Sequence, residues 1–144
     1  MSLKSKFKTN SNSVTQGVWV EYKDSPNEDG SVPKFKVARQ SGQNKNYSKA
    51  LRTHSKKAKA KGKLENMSDE ESNLLLLNVF VDSILLGWEN FQPNDDGVSL
   101  EFSALNATAI FGDPDWYDFY QEIQNAAEDI STFNREDVEE EAKN

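Results

Sequence analysis

Ten of the thirteen residues from Leu74 to Leu86 are apolar, interrupted only by Asn78, Asp82 and Ser83. Just ahead of them stands Ser68-Asp-Glu-Glu71, the pattern of a capping box in which Ser68 and Glu71 each satisfy a backbone donor at a helix start. The pairing predicts a helix from residue 69 to Leu86, stopped by Gly87. A helix apolar on almost every side has to be covered on almost every side, so it is expected at the centre of the fold, with Val79, Phe80, Ile84 and Leu85 in the core. The apolar run ends at Trp88, which is too short and too polar for a bilayer span.

The elements around it are predicted from local pattern. Gly17-Val-Trp-Val-Glu-Tyr22 alternates β-branched and aromatic residues at period two and reads as a strand. A loop with Pro26 and Asn27-Glu-Asp-Gly30 separates it from Lys34-Phe-Lys-Val-Ala-Arg39, the second arm of an antiparallel hairpin. Residues 98–102 are a candidate third strand. From Asn46 a helix carries Tyr47, Ala50, Leu51, His54 and Ala58 on one face and cations elsewhere, with Gly62 as its stop. Ser103 caps a short helix ending at Phe111 and Gly112, and Asp113-Pro114 restarts helix at once. Trp116, Phe119, Tyr120, Ile123, Ala127, Ile130 and Phe133 then form a regular amphipathic stripe. The expected fold is α+β: a small N-terminal antiparallel β-hairpin, with or without the third short strand, packed on about four α-helices. It forms one domain over residues 17–133, flanked by a flexible basic arm (1–16) and an acidic tail (134–144). Pro26 to Phe35 and Pro93 to Phe102 share five of ten positions, which turn chemistry alone explains.

Charge is strongly polarised. Fifteen of seventeen Lys and Arg precede Leu64 with only four of twenty-four Asp and Glu, so the first part carries +11 and the remainder, with two cations and twenty acids, carries −18. Such asymmetry speaks of partners and assembly. The residues exclude much chemistry. Without cysteine there is no disulfide, thiolate site or cysteine nucleophile, which fits a reducing compartment. His54 is the only histidine and has no ligand at helical spacing; it reads as a half-buried residue beside Leu51. Counting back from Gly30 and Gly97 puts Ser25 and Gln92 at the first ligand position of a calcium loop, and neither loop fits. No phosphate loop or dinucleotide fingerprint occurs. Asp82, a carboxylate inside an apolar helix, is expected to meet a Lys, Tyr or Trp side chain of a neighbouring helix rather than to catalyse. The chain is expected to be non-enzymatic, soluble and cytoplasmic, with no signal peptide, no cofactor and no metal. Eight cations over residues 45–63 support an alternative, a small nucleic-acid-binding protein using that basic helix. With Tyr47 the only aromatic there and an acidic second half, a solvated face, or a docking face for acidic protein, is the better reading.

Gly17-Val-Trp-Val-Glu-Tyr22, Phe35-Lys-Val-Ala-Arg39, Asn44-Lys-Asn-Tyr-Ser-Lys-Ala-Leu-Arg52, Val81-Asp-Ser-Ile-Leu-Leu-Gly-Trp-Glu-Asn-Phe91 and Ile110-Phe-Gly-Asp-Pro-Asp115 occur in this order. In that order and spacing, from Gly17 to Phe133, the chain resembles the tail assembly chaperones of long-tailed bacteriophages. The resemblance implies a non-catalytic virion-assembly protein of the host cytoplasm, absent from the mature virion. It would bind the long helical tape-measure protein and help tail-tube protein polymerise around it. Opposite-sign halves add self-association as an expectation. Arg52, Lys56 and Lys59 on the basic helix, with Trp116 and Tyr120 on the amphipathic stripe, are the candidate partner-binding residues.

Overall fold

The computed structural model describes residues 2–134. Two short helices, α1 (Leu3–Phe7) and α2 (Ser11–Gln16), precede strands β1 (Val18–Glu21) and β2 (Lys34–Val37). Helices α3 (Lys45–Ala60) and α4 (Asp69–Ser83) follow, then β3 (Leu85–Glu89), α5 (Ala104–Phe111), a 3₁₀ turn (Pro114–Trp116), α6 (Tyr117–Glu128) and a last 3₁₀ turn (Ile130–Thr132). The fold is α+β, with a three-stranded antiparallel sheet in the order β1-β2-β3.

The hairpin forms where the alternation places it, with Val18 opposite Val37 and Val20 opposite Phe35. The third strand corrects the sequence expectation twice. Residues 98–102 do not pair; their backbone is held by the indole of Trp88, which donates to the Leu100 carbonyl, and by the Leu100 amide donating to the Phe91 carbonyl. The third strand is instead Leu85–Glu89, which takes the last two residues of the expected helix, Leu85 and Leu86, and runs on through its expected stop at Gly87. Its pairing with β2 slips by one residue, so Val37 faces Leu85 and Lys36 faces Gly87, leaving Leu86 as an extra, exposed residue. The slip puts Leu85 and Trp88, three residues apart, on the same buried side. In the sequence that spacing is indistinguishable from a helical one.

The capping box at Ser68 and Glu71 is formed. From there α4 uses two sides. Leu77, Phe80, Val81 and, just past its end, Ile84 enter the core with Val18, Phe35, Val37 and Trp88 from the sheet. Asp82 is turned towards α3, where its carboxylate meets His54 Nε2 at 2.5 Å. Asp82 thus makes an interhelical contact as expected, but with the histidine and not with a Lys, Tyr or Trp. Helix α3 is capped by the buried Asn44, whose side chain accepts from the Asn46 amide and donates to the Arg39 carbonyl, and it buries none of its own residues completely. The stripe on α6 closes the core with Tyr120, Ile123 and Ala127, followed by Phe133.

The N-terminal segment, expected as an arm, docks in its second half. Ser13 and Val14 are buried, the Asn10 amide donates to the Phe133 carbonyl, and the Arg39 amide donates to the Val14 carbonyl. Gly17 links this segment to β1 at φ 85°, and a Cβ there would stand 2.7 Å from Leu86 Cδ1 and 3.0 Å from the Val37 carbonyl oxygen. Only glycine fits both demands. The acidic tail lies outside the described residues from 135 onward.

Candidate functional site

Helix α4 carries more leucine than the core can take. Leu77 sits on the floor of a groove between α4 and α6, but Leu74 (53 % exposed) and Leu76 (47 % exposed) line it at the surface. Phe80, Phe111 and Tyr120 complete the floor, and Tyr117 (54 % exposed) and Tyr47 line it from α6 and α3. The groove holds about 760 Å³, within the range of clefts that take a ligand-sized group, about 300–1,000 Å³. Glu70, Asp113 and Glu128 line it as well, with Asn73, Gln121 and Gln124, and among the described residues no Lys or Arg does.

Each lining group has a local cause. The Asp113 side chain accepts from the Asp115 amide and starts the 3₁₀ turn that sets Tyr117 at the head of α6. The Tyr117 hydroxyl accepts from Gln121 Nε2 at 3.3 Å, one helical turn on. Tyr120 packs edge-on against Phe80 with ring centroids 5.1 Å apart. Burial, and then the neighbouring Tyr117 and Tyr47, push its phenol up to about 12. An uncharged apolar floor, amide-bearing walls and carboxylates among the lining suit the apolar stripe of an amphipathic helix whose polar edges carry cations. Among the described residues no three His, Asp or Glu gather to hold a metal, and no helix is long and apolar enough to cross a membrane.

The five candidate partner-binding residues fall on three surfaces. Arg52, Lys56 and Lys59 are exposed on α3. With Lys45 and Lys49 they span an arc of about 80° at 3.6 residues per turn, opposite Tyr47, Ala50, Leu51, His54 and Ala58. None of the five cations has an ion-pair partner among the described residues. Tyr120 is buried at the floor of the groove, and Trp116 lies in a separate cavity, its ring against Phe91 and Phe119. The sequence reading missed Leu74, Leu76 and Tyr117. Leu74 and Leu76 belong to a run apolar in every direction, and no periodicity separates covered from uncovered positions in such a run.

A family model described as YdaY prophage protein matches residues 42–144, a span that takes in α3, α4, α6 and all of the groove's lining but Gln40. No curated protein and no solved structure matches the chain.

Proposed function

The chain belongs to the YdaY prophage protein family, and from that premise we propose that it is a tail assembly chaperone. In this role it is non-catalytic and acts in the host cytoplasm. It holds the tape-measure protein until tail-tube protein polymerises around it, and it does not remain in the mature virion. The observation that carries the proposal is the groove: Leu74, Leu76 and Tyr117 are left half-exposed beside a floor of Leu77, Phe80, Phe111 and Tyr120. A long amphipathic helix is prone to aggregate through its apolar stripe, and a groove of this kind shields such a stripe segment by segment. The polar and acidic lining limits the apolar contact, which suits a chaperone that must let go. The family supports a prophage origin, and the sequence resemblance supports the chaperone role.

Co-expression tests it. The full chain is produced with the long helical protein encoded by the same prophage, and the helical protein is recovered from the soluble fraction. Wild-type chain should keep it soluble and co-purify with it, whereas Leu76→Gln with Tyr117→Gln should lose both effects while melting as wild type does. Equal recovery with wild type and variant would refute the groove as the docking site. No recovery with either would refute the chaperone reading.

A further inference from the structure

A second cavity, of about 770 Å³, lies on the other side of α6 from the groove, between the β1–β2 loop and the loop after β3. Tyr22, Trp116 and Phe119 are half-buried in its lining, above the buried rings of Phe35 and Phe91. Glu28, Asp29, Asp95 and Glu122 line it and are exposed, and among the described residues no Lys, Arg or His does. The two loops are tied together: Asn27 Nδ2 donates to the Asn90 carbonyl at 2.8 Å, Asn90 Nδ2 to the Val32 carbonyl at 3.1 Å, and Gln92 Nε2 to Asp29 Oδ2 at 3.4 Å. The cavity is therefore preformed. Tyr22 also keeps its hydroxyl buried with no hydrogen-bond partner among the described residues. Aromatic surface ringed by carboxylates, with no counter-charge among the described residues of its lining, is the chemistry that receives a lysine ammonium or an arginine guanidinium.

The same chain presents such cations. Lys45, Lys49, Arg52, Lys56 and Lys59 run along one side of α3, which spans about 24 Å at 1.5 Å per residue. The cavity has no α3 residue in its lining, and α3 is held on α4 by His54 and Asp82, so a molecule does not fill its own cavity with its own stripe. We propose that the cationic stripe of α3 in one copy docks into the carboxylate-rimmed aromatic cavity of a second copy. Because the two surfaces differ, the contact is head to tail, and repeating it builds an open chain or closes a ring. The proposal is independent of what the α4–α6 groove binds.

Sedimentation velocity on the full chain tests this between about 0.01 M and about 1 M salt, where the screening length falls from about 30 Å to about 3 Å. Wild type should associate at low salt and dissociate at high salt. One variant neutralises the cavity (Glu28→Gln, Asp95→Asn, Glu122→Gln), and another the stripe (Lys49→Gln, Arg52→Gln, Lys56→Gln). All six side chains are exposed, so folding is not at stake. Each variant alone should associate at least tenfold more weakly than wild type. An equimolar mixture should stop at a one-to-one dimer, since only one intact contact can form. Wild-type-like association of the cavity variant would overturn the proposal, as would a mixture no stronger than its components. A monomeric wild type would do so too if a variant with Glu136, Asp137, Glu139, Glu140 and Glu141 changed to Gln is also monomeric, because the tail then cannot be the competitor.

Discussion

Phe35→Ala is the substitution that should cost the fold most. Its side chain is fully buried, and its ring meets Tyr22, Trp88, Phe91, Phe111 and Phe119 at centroid distances of 5.1–6.5 Å. Transfer alone accounts for about 1.5–3 kcal/mol for a buried side chain of this size. The cavity left behind brings the total to about 3–5 kcal/mol, and the lost edge-to-face pairs favour the upper end. The neighbours are themselves large rings held by one another, so they cannot collapse into the space cheaply. Against a typical total stability of about 5–15 kcal/mol, this is a large fraction. Urea denaturation, followed by tryptophan fluorescence and circular dichroism, should show a midpoint lowered by roughly 2 M at an unchanged slope. Leu105→Ala, at a position 81 % exposed, should stay within about 0.5 kcal/mol and serves as the control. A Phe35→Ala loss below about 1 kcal/mol would refute the idea that the sheet and helices share one aromatic core.

Leu85→Ala should cost about 2–5 kcal/mol as a cavity at a residue 2 % exposed; in the same urea titration a loss below about 0.5 kcal/mol would place this residue outside the core. Gly17→Ala should cost more than about 1 kcal/mol in thermal melts, because φ 85° and the contacts to Leu86 and Val37 leave no place for a Cβ, and an unchanged melt would contradict that geometry. Burial, then the Glu122 charge, pushes the Tyr22 phenol up to about 12, and burial does the same for Tyr120. Their contribution to stability is then fully present below pH 10 and lost as pH rises from about 10 to about 12, since the unfolded chain gives up these protons first. Alkaline titration at 295 nm should show two tyrosines ionising late, and Tyr22→Phe should remove one of them.

Much of the fold was legible because local chemistry and tertiary structure agree. The Ser68–Glu71 box and the Ser103 cap each act within a few residues, the Trp116–Phe133 stripe repeats at helical spacing, and the hairpin follows from alternation at Val18, Val20, Phe35 and Val37. The third strand was not legible. A one-residue slip between β2 and β3 gives Leu85 and Trp88 helical spacing, and the strand follows α4 with only Ile84 between them. Which leucines of α4 stay uncovered was also hidden, because that depends on where α3 and α6 dock. The cavity around Trp116 is a third case: the resemblance between the loops at Pro26 and Pro93 is visible in the chain, but their meeting through Asn27, Asn90 and Gln92 is a tertiary fact.

The central claim is that the α4–α6 groove takes a helix of the tape-measure protein. Hydrogen–deuterium exchange of the full chain, alone and with that protein from the same prophage, measures it directly. Binding should slow exchange in the first half of α4, around Leu74 and Leu76, and in α6 around Tyr117 and Gln121. The outer face of α3 and the β1 edge should exchange as before. Protection confined to α3 or the sheet, or none in a complex shown to form, would contradict the account.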